Sequence, residues 1–185
     1  ESYLRHALKL FGHAPETPFG YASREHKALV MNIGTGGGTL VHELVHPYFA
    51  ANYPDVPSWL NEGLASLYEQ CDERGGKMVG LTNWRLAGLK EGLARKKVQP
   101  FAKLIATTEA TFRDDAEALN YAQARYLMLY LQEKDLLHAF VRRALAQQNG
   151  AAALKETLGP KAWQTIDADF RAWVATLSFP ERGRD

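Results

Sequence analysis

The spacing of apolar residues divides the chain into a short mixed front and a long helical remainder. Residues 2–11 (SYLRHALKLF) carry apolar side chains at helical spacing and predict a short amphipathic helix. Gly12 to Gly20 reads as a proline-containing loop, and 27–33 (KALVMNI) as a strand, an apolar run that ends in glycines. A largely apolar helix is expected from about Thr39, as its N-cap, to Asn52. A turn-rich link, Asn52 to Pro57, leads into a second helix from about Ser58 to Cys71, with Pro57 near its first position. Asp72 to Gly76 reads as a polar turn and 77–81 as a short strand. Helices follow at about 83–96, 114–133, 135–148, 150–158 and 160–177. The last places Trp163, Ile166, Phe170, Trp173 and Val174 on one face. No repeat of fixed period interrupts the series. The pattern predicts an α+β chain with a small N-terminal sheet and a mostly helical C-terminal half.

Composition narrows the picture little further. At 185 residues the chain suits a single domain, 1–185, with 1–81 carrying the sheet and the first long helices and 82–185 a helical subdomain. A net charge of +1 gives no reason to invoke nucleic acid or an anionic membrane. No run of eighteen apolar residues exists, so no membrane span is expected. The single cysteine, Cys71, excludes an internal disulfide and cysteine-rich zinc modules. A start at Glu1-Ser2-Tyr3 reads as processed or cut from a longer protein, which favours an extracytoplasmic setting.

The chemistry concentrates in residues 42–46, His-Glu-Leu-Val-His, and in Glu62, sixteen positions beyond the second histidine. On a helix His42 and His46 stand one turn apart and roughly 40° apart around the axis, so both imidazoles reach one ion. Glu43 is turned too far to be an easy third ligand but is placed to touch a water beside the metal. Glu62, from the second helix, completes a two-imidazole, one-carboxylate set with an open position, the arrangement of catalytic Zn2+. Glu43 is then the general base that takes a proton from the attacking water and passes it to the leaving amine. Pro47 removes one helical hydrogen bond and predicts a kink near Glu43.

These motifs resemble the gluzincin branch of the zinc metallopeptidases. The segment WLNEGLASLYE is similar to the glutamate helix of zinc aminopeptidases. The wider stretch MNIGTGGGTLVHELVHPYFAANYPDVPSWLNEGLASLYEQ resembles small bacterial peptidase-like domains of the same clan, of unknown function. The likeness is strong over residues 29–70, about a quarter of the chain. It implies a zincin-like fold, a bound Zn2+, a peptide or protein substrate, and hydrolysis of peptide bonds by a metal-activated water. Two features depart from the aminopeptidases. The stretch Val30 to Gly36 lacks the carboxylate with which those enzymes hold a free amine, and the spacing from His46 to Glu62 is a few residues shorter. A free N-terminus is therefore not an expected requirement. An amine-holding acid from elsewhere would come first from Glu69 or Glu117.

The resemblance also implies a tyrosine donor to the oxyanion about sixty residues past the glutamate ligand. Tyr121, fifty-nine residues past Glu62, fits, with Tyr126 and Tyr130 as rivals on the same predicted helix. The segment Asn32-Ile33-Gly34 is expected to be an edge strand that pairs with an extended substrate. Gly63 and Ala65 are expected to let the glutamate helix approach the metal helix closely. The glycines at 34 and 36–38 lack the lysine and spacing of a phosphate loop. His6, His13, His26 and His138 have no ligand-like partners in sequence. Two other readings stand beside the peptidase: a catalytically silent zincin-fold domain that binds peptides or proteins, and a hydrolase of non-peptide amides. Oligomeric state is not legible.

Overall fold

The computed structural model describes residues 2–14, 20–23, 25–32, 34 and 37–179. Helix α1 (Ser2–Phe11) is followed by an antiparallel hairpin of β1 (Gly20–Ser23) and β2 (Ala28–Met31), in which Tyr21 pairs with Val30. Helices α2 (Gly37–Asn52) and α3 (Ser58–Leu67) come next. A second hairpin joins β3 (Cys71–Arg74) to β4 (Lys77–Gly80), with Asp72 opposite Val79. The remainder is helical: α4 (Arg85–Ala94), α5 (Phe101–Leu104), α6 (Glu109–Phe112), α7 (Glu117–Glu133), α8 (Leu137–Gln147), α9 (Gly150–Leu158) and α10 (Trp163–Thr176). The chain is α+β, with a small antiparallel N-terminal sheet and a mostly helical remainder.

The core is built around α7. Eleven of its seventeen residues are buried, as in a helix enclosed on nearly every side. Helix α3 lies along it with eight of ten residues buried. Gly63 makes this approach possible: a Cβ there would stand 3.0 Å from the Ala124 carbonyl oxygen. The close contact of Gly63 is therefore with α7, not with the metal helix as the sequence suggested. Trp59 stacks on Phe140 of α8 at 6.1 Å between ring centroids, and Ile166, Phe170 and Val174 bring α10 into the same cluster.

Other boundaries also move. Helix α2 starts at Gly37, so Thr39 lies within its first turn rather than at its cap. Helix α3 stops at Leu67, short of Cys71. The fully buried Arg125 of α7 takes over its last carbonyls, donating from Nε to Ser66 at 2.9 Å and from Nη2 to Leu67 at 3.4 Å and to Leu81. Burial lowers the Arg125 guanidinium to about 10, and the terminal carbonyl dipoles it caps favour a cation there. The expected polar turn at 72–76 is largely strand, with only Gly75 and Gly76 turning, at φ of 59° and 76°. Positive φ at both central positions suits a two-residue hairpin turn. Strand β2 ends at Met31. Asn32 Oδ1 accepts a 3.1 Å bond from the Gly34 amide and turns the chain away. Asn32 and Gly34 are thus not edge-strand residues, and Ile33 lies outside the described residues.

Candidate metal centre

Helices α2 and α3 bring His42, His46 and Glu62 together, with one ligand atom of each within 4.8 Å of the others. The histidine rings meet edge to face, 4.9 Å between centroids. Glu62 is 5% exposed, and its Oε2 lies 3.3 Å from His42 Nε2 and 4.0 Å from His46 Nε2. That oxygen is buried yet accepts no hydrogen bond among the described residues. Two imidazole nitrogens facing a bare buried carboxylate oxygen form a donor set fitted to a metal ion.

The second nitrogen of each ring is engaged elsewhere. His46 Nδ1 is 3.0 Å from Asn61 Oδ1. His42 Nδ1 is 3.2 Å from Glu69 Oε1, out of line for a hydrogen bond but close enough for strong attraction. Such outer partners fix the tautomer and leave Nε2 for the ion. Glu69 is fixed in turn: Arg85 donates to its two oxygens at 3.1 and 3.0 Å, and Asn83 Nδ2 donates at 3.3 Å. Gly38 permits this meeting of helices, since a Cβ there would lie 2.1 Å from the Glu69 carbonyl oxygen. Glu69 is thus paired with His42 and Arg85, and Glu117 is 3.4 Å from Arg113 on the surface.

In the metal-free protein these contacts shift the ligands' acidity. Burial works against a charged His42, but the Glu62 and Glu69 carboxylates outweigh it and raise the imidazole to about 9. Burial likewise opposes charge on Glu62, yet His42, His46 and Arg113 hold it below the usual carboxylate range. Glu69 is lowered against its burial by His42 and Arg85.

A cleft of about 810 Å³ opens beside the group, lined by Ala28 and Leu29 of β2 and by Glu43, His46, Glu62 and Arg113. Glu43 is half-buried at its wall. Helix α2 runs on through Pro47, which also faces the cleft. The three tyrosines separate clearly. Tyr121 reaches the site through Arg113, whose Nη1 donates to its hydroxyl at 2.8 Å and whose Nη2 donates to Glu62 Oε1 at 2.8 Å. Burial and the Glu62 carboxylate push the Tyr121 phenol well above its ordinary range. Tyr126 is buried against the Asn83 backbone, and Tyr130 packs on Phe170 and Trp173.

Sequence reasoning missed Asn61, Arg85 and Arg113 and did not foresee that Glu69 faces His42. Asn61 and Glu69 had a local signal, one residue before and seven after Glu62. Arg85 and Arg113 had none, because only the packing of α4 and α6 brings them in.

No helix of the described residues is long and apolar enough to cross a membrane. Comparison with curated proteins and with solved structures finds no match. Residues 38–149, which take in α2 from Gly38 onward, the whole of α3 and α7, Arg85 and Arg113, match the family described as "Protein of unknown function (DUF1570)", and the chain belongs to that family.

Proposed function

We propose that this protein is a zincin-like, zinc-dependent peptidase that hydrolyses peptide bonds, with His42, His46 and Glu62 as ligands and Glu43 as general base. The bare Glu62 Oε2 facing two Nε2 atoms is the observation that carries the reading. Two imidazoles and one carboxylate suit zinc, which supplies Lewis acidity for water and for a carbonyl. Glu43 makes no hydrogen bond or ion pair among the described residues, so its carboxylate is available to accept a proton in the cleft and return it to a leaving amine. Tyr121 is the donor toward a developing oxyanion. An extended substrate lies along Ala28 and Leu29, where β2 borders the cleft.

The competing reading is a silent domain of the same fold that binds peptides. The test is metal analysis together with hydrolysis of mixed, N-blocked peptides. The expected result is about one zinc per chain and activity abolished by chelation. Glu43→Gln should keep zinc and fold while activity falls by ~10²–10⁴-fold. Glu62→Ala should lose zinc far more readily than Glu43→Gln. Equal turnover in wild type and Glu43→Gln would exclude the mechanism, and full zinc without Glu62 would exclude the ligand set.

A further inference from the structure

Arg113 sits at the C-terminal end of α6 and binds two groups of the site at once. Its Nη2 donates to Glu62 Oε1 and its Nη1 to the Tyr121 hydroxyl, both at 2.8 Å. The first bond makes the two oxygens of Glu62 unequal. Oε1 is taken, and Oε2 is left bare before the imidazoles. The second bond fixes the role of the phenol. An oxygen that accepts from a guanidinium keeps its own hydrogen for another acceptor, and without substrate that hydrogen is within reach of the Glu62 carboxylate. The guanidinium is a rigid planar fork, so one side chain sets both acceptors in a fixed relation.

The surroundings decide between this role and capture of a substrate carboxylate. Glu109 at 3.8 Å, Glu117 at 3.4 Å and Glu62 already surround the Arg113 guanidinium. Its charge is spent on the protein's own carboxylates. The Tyr121 ring is held as well: Arg113 lies 5.8 Å and Arg85 5.4 Å from its centroid, and Phe112 packs at 5.2 Å. Arg85 is also the partner of Glu69. The arginines behind the two carboxylates therefore meet on one tyrosine.

We infer that Arg113 is the positioning residue of this site, tying Glu62 to Tyr121 so that one carboxylate oxygen serves the metal and the phenol hydrogen serves the substrate. This rests on the peptidase reading, but half of it concerns the metal alone.

The experiment compares Arg113→Ala, Arg113→Lys, Tyr121→Phe and the Arg113→Ala/Tyr121→Phe double variant. Zinc affinity, the visible spectrum of the Co2+-substituted protein, and kcat and KM at saturating zinc are measured. Arg113→Ala should weaken zinc by ~10–100-fold and shift the cobalt bands, while Tyr121→Phe changes neither. Both single variants should lower kcat by ~10²–10³-fold with little change in KM, and the double variant should be no slower than either. Arg113→Lys, which keeps the charge and the stem, should fold normally and still lose kcat. Unchanged zinc affinity in Arg113→Ala, multiplying kcat losses, or a wild-type Arg113→Lys overturns the inference. So does a KM rise confined to peptides with a free C-terminal carboxylate. If the wild type hydrolyses no peptide, the peptidase reading fails, and the zinc and cobalt measurements still decide the Glu62 half.

Discussion

The two helices that supply His42, His46 and Glu62 are held in opposite ways. Helix α3, which carries Glu62, has eight of ten residues buried, pressed into α7 at Gly63. Helix α2, which carries both histidines, has one buried residue in sixteen, Phe49, and leaves Leu40, Leu44 and Tyr48 exposed at i, i+4 and i+8. Apolar burial therefore fixes the carboxylate, and polar tethers fix the imidazoles. Those tethers both come from α3 or the turn just after it, Asn61 on His46 and Glu69 on His42, and the Glu69 backbone packs closely against Gly38. The lesson is one of hierarchy. The core places α3, α3 and the β1–β2 hairpin together place α2, and the site is as rigid as the second step allows.

The sharpest way to break this comparison is to attack the core beneath α3. Trp59 is fully buried, and Trp59→Ala should cost about 3–5 kcal/mol of global stability by urea unfolding and take the metal site with it. A loss under about 1 kcal/mol would show that α3 is not the anchor.

The tethers can be loosened by pH in the metal-free protein. His42 has its pKa raised from 6.5 to about 9, so its contribution is full below pH 6.5 and is lost as pH rises through 9. Glu62 and Glu69 are lowered from 4.5, so their contributions are present above pH 4.5 and are lost as pH falls below it. Metal-free protein should be most stable between these limits and lose up to ~1.4 kcal/mol per pH unit on the alkaline side. Zinc-loaded protein, which needs neutral imidazole, should show no alkaline loss and should bind metal more weakly as pH falls below about 9. Thermal melts from pH 5 to 10 with and without zinc check this. Parallel curves would contradict the polar attachment of α2.

The smallest effects distinguish the two faces of α2. Gly38→Ala forces a Cβ against the Glu69 carbonyl and should cost about 1–3 kcal/mol, with a tenfold or greater loss of zinc affinity on the order expected for an outer partner. Leu44→Ser, on the open face at 50% exposure, should change stability by no more than about 0.5 kcal/mol and leave zinc binding alone. Zinc titration and urea melts of both variants give the contrast. Equal effects would mean that the outer face of α2 is as constrained as the inner one.

The legible parts of this protein are those in which chemistry and local spacing coincide. His42, Glu43 and His46 are a single helical turn, and Glu62 stands on the next helix, so their convergence follows from helix geometry and a short link. Helix α1 and the apolar face of α10 follow from period alone. The hairpin of β3 and β4 was hidden because Cys71 to Arg74 reads as polar, and only the paired glycines marked its turn. The edge strand expected at Asn32 and Gly34 failed because the Asn32 side chain takes the Gly34 amide. Tyr121, Tyr126 and Tyr130 could not be separated by sequence, since all three lie on one apolar helix. What separates them is which side of α7 each neighbour covers.

By itself the sequence determined which residues can hold a metal, because that property belongs to side-chain chemistry at helical spacing. The tertiary structure alone decided what stands behind them. Glu69 behind His42, Asn61 behind His46, and Arg113 between Glu62 and Tyr121 depend on how α2, α4 and α6 dock around α3 and α7. Docking is a sum of many weak contacts between residues far apart in the chain, and no local pattern records it.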